Sequence, residues 1–262
     1  MKRILCMLPA FLMASVSLSA QEEYSSEDDY RNVGIWTSIA AQKKIGDRWS
    51  VSGEAEHRTA NFVGHTDRWS LSLGGGYKFG RRFKIEASYS YLDNHTPQVT
   101  KTKFSGGLRS ETITAGYWLP RHRGELALNK GWKLGRFEIS ARETYQFTHN
   151  DELEVKKEKF KDGLLSSVSS KFINAKNRHV SKTRLQVSYD IRKCPLEPYA
   201  SCEVYLGLWG GDPGIQKHRY TAGMDWNINK INSLKLFYRY QDKADDDEPD
   251  GHVLGLGYAV KF

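Results

Sequence analysis

Large apolar side chains recur at every second position along most of the chain. Trp69, Leu71, Leu73, Tyr77 and Phe79 alternate with Arg68, Ser70, Ser72 and Lys78. Phe83, Ile85, Ala87, Tyr89 and Tyr91 alternate with Lys84, Glu86, Ser88 and Ser90. The same period continues through Leu126 and Leu128, through Phe137, Ile139 and Ala141, through Leu185, Val187 and Tyr189, and through Leu234, Leu236 and Tyr238. A period of two places these residues on one face of a β-strand and the polar ones on the other. The closing run keeps the rule: Leu254, Leu256, Tyr258, Val260 and Phe262 oppose Gly255, Gly257, Ala259 and Lys261.

Turn signals separate the runs, and their lengths alternate. Short turns at 46–47, 80–81, 134–135, 194–195 and 229–232 trade places with longer polar loops around 60–66, 93–117, 149–177, 210–215 and 242–251. Aromatic residues gather at the run ends. Trp49, Tyr77, Phe79, Phe83, Trp132, Trp226 and Tyr258 lie beside the short turns, and Trp69, Tyr91, Phe147, Tyr220 and Tyr240 lie toward the long loops. Two bands of amphipathic rings around an aliphatic middle suit a barrel that meets lipid and water at two interfaces. A soluble sandwich explains the alternation equally well, but it accounts poorly for the two bands and for a terminal aromatic at Phe262.

The expected fold is therefore all-β, an antiparallel transmembrane barrel of roughly ten to twelve strands. Counting back from Phe262 gives about eleven, whereas barrels of this type have even numbers. Three segments could restore parity: a further strand at 110–117 or at 164–173, or the acidic lead 21–31 entering through the lumen.

The N-terminus fits an exported chain. Lys2 and Arg3 precede the apolar stretch Ile4 to Val16, and the small residues Ser17, Ser19 and Ala20 follow. That is a secretory signal of residues 1–20, with the cut uncertain by about one residue, and 21–262 form one barrel domain. The apolar run is too short to cross a bilayer as a helix. The expected location is the outer membrane of a Gram-negative bacterium.

Composition adds little that conflicts. Lys and Arg number 39 against 31 Asp and Glu, for a formal net charge of +8, and the mean hydropathy is −0.61. A low mean is compatible with a barrel, because only alternate residues face lipid. Exported chains rarely meet nucleic acid, so the expected partners are outer-membrane lipid, lipopolysaccharide and the barrel-assembly machinery, with no nucleic acid. Cys194 and Cys202 would lie about 26 Å apart in one extended strand, so two free thiols are expected.

Several stretches carry a family resemblance: Gly34-Ile35-Trp36-Thr37, then Tyr117-Trp118-Leu119-Pro120-Arg121-His122-Arg123, then Glu197-Pro198-Tyr199-Ala200-Ser201, and Gly255-Leu256-Gly257-Tyr258. The chain resembles a family of bacterial outer-membrane barrels known only as a domain of unknown function, family 2490. The resemblance covers nearly the whole mature chain and implies the fold and the location. It supplies no activity and no catalytic residues. In such barrels the closing strand carries an assembly signal, which the resemblance places at Tyr258 and Phe262.

Candidate chemistry sits on the inward register. Its carboxylates are Glu54, Glu56, Glu86, Glu125, Glu138, Asp190, Glu197, Glu203 and Asp225. Its cations include Arg68, Lys84, Arg121, Arg123, Arg142, Arg184, Arg219 and Arg239. The two signs interleave, which points to ion pairs meeting across a narrow lumen and filling it, not to a selective conduit. The functional expectation is a structural barrel or a narrow pore for small polar solutes. The alternative is an outer-leaflet lipid-modifying enzyme, an acyl hydrolase or acyltransferase, around His57, His122 and Glu143 on the lipid register. No serine is expected beside those residues and no G-x-S-x-G motif is present, so no catalytic residue is assigned. No cofactor and no metal site are expected. The acidic loop 242–251 lacks calcium-loop spacing, and the basic run Lys156 to Lys161 reads as a solvated loop.

Overall fold

The computed structural model describes residues 33–262 apart from 81, 106–107, 212 and 243–250. The expected signal and acidic lead, and most of the acidic loop, lie outside the described residues.

Among the described residues fifteen strands form, and eleven of them close into a barrel. The wall begins with β1 (Val33–Ile45), β2 (Trp49–Ala60), β3 (His65–Phe79) and β4 (Phe83–Thr96). The chain then leaves the wall for β5 (Val99–Ser105) and β6 (Leu108–Thr114), and returns as β7 (Tyr117–Leu134) and β8 (Phe137–Asn150). A second excursion makes β9 (Leu153–Lys161) and β10 (Leu164–Ile173). Five strands complete the wall: β11 (Lys176–Tyr189), β12 (Leu196–Trp209), β13 (Gly214–Asn227), β14 (Asn232–Asp242) and β15 (Gly251–Lys261).

Neighbouring wall strands are antiparallel except at the seam, where β1 pairs parallel with β15 from Val33↔His252 to Gln42↔Lys261. An odd number of strands forces this, because eleven alternating directions leave the first and last strands pointing the same way. The count therefore closes without another wall strand. The segments 110–117 and 164–173 do contain strands, but β6 and β10 belong to a separate four-stranded sheet ordered β10-β9-β6-β5. Those strands have no continuous apolar face to give to a wall: every residue of β10 from Leu164 to Lys171 is exposed, serines included. The basic run expected to be a loop is part of β9, where Lys156 Nζ lies 2.7 Å from Glu158 Oε1.

The tight hairpins sit at one end of the barrel and the long excursions at the other. Gly46, Gly80 and Gly135 occupy the tight turns at φ of +63°, +68° and +62°, a region that favours glycine. The C-terminal strand finishes at this short-turn end, where Lys44 N–H donates to the Phe262 carbonyl at 3.0 Å. β1 starts at the opposite end, where Phe62 N–H donates to the Val33 carbonyl at 2.8 Å. Cys194, in the turn before β12, and Cys202, on that strand, are free.

The two faces of the wall differ as the alternation requires. Outward, Leu71, Leu126, Leu185 and Leu236 are each more than half exposed. Inward, Arg68, Thr144, Gln146, Thr221 and Gln241 are buried. Among the described residues the most deeply buried large side chains, Arg68 and Gln241, are polar, so the barrel's centre is a hydrophilic lumen.

Candidate lumenal site and its outward counterpart

Several ion pairs run along the wall between nearby strands. Lys182 Nζ on β11 lies 2.5 Å from Glu125 Oε1 on β7, passing over β8. Arg142 Nη1 on β8 lies 3.1 Å from Glu86 Oε2 on β4, passing over β7, and Lys84 also pairs with Glu86 from the same strand. Glu203 on β12 takes Arg219 at 3.2 Å and Arg184 at 3.9 Å from the strands on either side. Asp225 meets Lys235 at 3.6 Å, and Glu56 meets Arg58 at 2.7 Å. Side chains one or two strands apart already reach each other, so these charges find partners along the wall.

Voids open beside the inward faces of the wall strands. One of about 470 Å³ lies at the long-loop mouth beside Arg121 and Arg178, one of about 210 Å³ at mid-barrel, and one of about 340 Å³ toward the short turns. Glu54, Arg123 and Glu125 line the middle void, and Lys84, Glu86 and Arg142 the third. Arg68 donates from Nε to Asn94 Oδ1 at 2.8 Å, and Arg239 from Nε to Thr221 Oγ1 at 3.0 Å. Two residues of the inward set sit at the edge. Glu138 is exposed at the short-turn end, and Asp190 lies beyond the last residue of β11.

The signs also separate along the axis. The mouth void is lined by Arg121, Lys171, Lys176 and Arg178 and by no carboxylate. The middle void has five cations against three carboxylates, and the inner void three against three. Positive charge therefore rises toward the long-loop end, where the sequence suggested an even mixture.

Aromatic rings that alternation alone had not assigned stand in this lumen. Trp36 on β1 is buried, with the Arg58 guanidinium 3.5 Å from its ring centroid, Arg239 at 4.9 Å and Arg219 at 5.6 Å. Tyr205 lies under Lys217 at 4.5 Å and Arg219 at 4.9 Å. Such cation–π contacts hold cations where carboxylates are few. Two more inward rings lie over glycine on the facing strand: Phe237 opposite Gly255 and Tyr199 opposite Gly223. A Cβ at Gly255 would fall 1.9 Å from the Phe237 ring, and one at Gly223 2.6 Å from the Tyr199 hydroxyl. The signal available in the sequence was a bulky residue directly across a strand pair from glycine.

The outward face carries its own polar cluster. Glu143 on β8 accepts hydrogen bonds from Ser181 Oγ and, at 2.5 Å, from Thr183 Oγ1 on β11. His179 lies two residues from Ser181 on the same face, its Nδ1 2.6 Å from the Tyr145 hydroxyl. The expectation that no serine stands beside Glu143 is thus overturned. The 8–11 pairing sets Thr183 opposite Glu143 and Ser181 opposite Tyr145, a register invisible from local sequence.

The other two candidates do not join this cluster. His57 stacks on Trp69 at 4.0 Å and contacts Thr66 Oγ1 at 3.1 Å. His122 Nδ1 meets the Tyr89 hydroxyl at 2.6 Å, and the same diagonal Tyr–His contact recurs between Tyr238 and His252 at 2.6 Å. Three such pairs around the wall form a histidine–tyrosine belt. Among the described residues no group of His, Cys, Asp and Glu has metal-binding geometry.

Comparison with known proteins places this architecture. Among solved structures, the translocator domain of the autotransporter NalP from Neisseria meningitidis is similar, with a TM-score of 0.50 and 13% identity over 78% of this chain and 72% of that one. At that identity the likeness speaks for the barrel fold alone. No curated protein matches the sequence. A family described as a protein of unknown function, DUF2490, matches residues 33–251, most of the chain, and the protein belongs to that family.

Proposed function

We propose that the protein is a Gram-negative outer-membrane barrel, exported by loss of residues 1–20, whose lumen is closed to steady solute flow and whose role is structural. The observation that carries this reading is the outward face. Leu71, Leu73, Leu126, Leu185, Leu236 and Leu256 are exposed by 42–64% around the closed wall. An apolar band of that extent is unstable in water and suits lipid. The short-turn end then faces the periplasm, the long-loop end faces out among lipopolysaccharide, and Tyr258 and Phe262 belong to the strand read by the assembly machinery. Inside, the guanidinium groups gathered over Trp36 narrow the path.

The test is fractionation followed by planar-bilayer recording. The unmutated chain is expected in the outer membrane, to migrate faster on gels unheated than boiled, and to show little conductance. Replacing Arg121, Arg123 and Arg142 together by Ala removes one of the two cations paired with Glu86 and one of the four at the mouth, and a cation-preferring leak or an unstable barrel is expected. Recovery in the soluble periplasm, or a wide steady pore in the unmutated protein, would overturn the reading.

A second reading, an enzyme acting on outer-leaflet acyl esters, is supported by Glu143, Ser181 and His179 sharing the outward face. Ser181 would supply the nucleophile, with Glu143 or His179 taking its proton. Two features weigh against it. His179 Nδ1 is committed to Tyr145, and β11 is paired on both sides, so its amides offer no oxyanion hole. Purified protein is expected to leave phospholipid and lipid A intact. Turnover that disappears in Ser181→Ala would establish the enzyme.

A further inference from the structure

The four-stranded sheet at the long-loop end has two faces of different charge. Strand pairing sets Lys157, Lys159 and Lys161 of β9 on one face, opposite Thr114, Thr112 and Ser110 of β6. Lys103 of β5 joins this face through Ser110, and Lys171 of β10 through Val155. Among the described residues no strand position on this face carries a carboxylate. Lys101 also stands here and is already partnered. Glu111, Glu154 and Glu158 all fall on the opposite face by the same register. Two of them meet cations there: Lys156 Nζ lies 2.7 Å from Glu158 Oε1, and Arg109 pairs with Glu111.

The lysine face therefore carries an uncompensated charge. Lysines two apart on β9 stand about 6.8 Å from each other, and the β5 and β9 rows are two strand spacings, about 9.6 Å, apart. Those separations are no longer than the screening length of roughly 8–10 Å at ordinary salt, so the five charges repel one another. A counter-charge brought by another molecule would relieve that repulsion. The neighbours of the lysines suit a phosphate. Ser110 lies between Lys103 and Lys161, and Ser169 lies across from Lys157. Each ammonium offers three donors and each hydroxyl one. Lys103, Lys159, Lys161 and Lys171 are exposed, and Lys157 is half-buried. The face runs on to the mouth, where Lys171 borders the void together with Lys176.

We propose that this lysine face docks the phosphate groups of lipopolysaccharide, with Lys103, Lys157, Lys159, Lys161 and Lys171 as the ligating cations. The inference rests on the outer-membrane reading above, which sets the long-loop end among those headgroups. Several lysines near an anionic lipid surface act together, each adding attraction within a screening length of it. The opposite face, with its glutamates paired, takes no part.

Binding of purified lipopolysaccharide to the whole refolded protein in detergent tests it. The parent is expected to bind the phosphorylated form at least tenfold more tightly than the same material stripped of its phosphates. Replacing the five lysines together by Gln is expected to cost at least tenfold in affinity, and to abolish most of the salt dependence, while the barrel keeps its gel shift on heating. Arg109→Gln with Lys156→Gln, on the opposite face, is expected to change affinity less than twofold. Equal binding of the phosphorylated and stripped forms would overturn the proposal, and that comparison needs no variant to fold. Parent affinity in a folded five-lysine variant would overturn it as well. Tighter binding of an acidic polysaccharide than of lipopolysaccharide by the same five lysines would overturn the assigned ligand. In all three cases the outer-membrane reading stands, because fractionation decides it separately. A parent chain recovered in the soluble periplasm would instead sink that reading and this inference with it.

Discussion

Ser181 and Lys182 are neighbours on β11, and each holds a carboxylate. Lys182 faces the lumen and binds Glu125 through a charged pair, whereas Ser181 faces outward and binds Glu143 with a hydroxyl, as does Thr183. One strand thus presents the same functional group to two solvents and partners it differently. Inside, where the wall is polar and half-buried, an opposite charge is the partner. Outside, where lipid is the expected neighbour, both donors are neutral. A lysine beside Glu143 would bring a second charge into hydrocarbon, at a cost of about 2–4 kcal/mol at mid-depth.

The difference predicts unequal responses to mutation. Lys182→Met leaves Glu125 on the wall without its nearest cation, and breaking a buried pair from one side costs about 3–5 kcal/mol. The expected readout is a clear fall in the denaturant midpoint of the refolded barrel. Adding Glu125→Leu to Lys182→Met should recover most of the loss, because the uncompensated charge is gone. A single variant as stable as the parent would mean that Arg123 already neutralises Glu125, and that the lumenal half of the contrast is wrong.

The sequence disclosed one side of this contrast better than the other. Alternation located most of the wall strands because each outward position depends only on its own strand. The strand count was near the truth, and it looked inconsistent only because an even number was assumed; a parallel seam between β1 and β15 removes the conflict. What stayed hidden depends on partners distant in sequence. Ser181 meets Glu143 across 38 residues, with the β9–β10 excursion between them. Trp36, Tyr199, Tyr205 and Phe237 were passed over because aromatic residues in such chains are expected at the lipid interfaces. Their inward register places them instead under guanidinium groups or over glycine. Charge segregation along the axis was equally illegible, since height in a tilted barrel follows from register, not from position in the chain.

The smallest expected effect belongs to the outward carboxylate. Glu143→Leu removes a polar group from the expected lipid face and leaves two hydroxyls, which can turn back to carbonyls of their own strand. The loss of two hydrogen bonds, about 1 kcal/mol each in net terms, is set against the gain of apolar surface in lipid and the relief of a carboxylate at mid-wall. These nearly cancel, so the denaturant midpoint should stay within about 1 kcal/mol of the parent or rise slightly. That is the opposite of the Lys182→Met result from the adjacent position on β11. If Glu143→Leu instead destabilised the barrel as much as Lys182→Met does, the carboxylate would be anchoring β8 to β11. The two faces would then not differ in the way their partners suggest. If stability held but turnover of an acyl ester by the parent vanished, the outward cluster would be a site of chemistry and the second reading would replace the structural one.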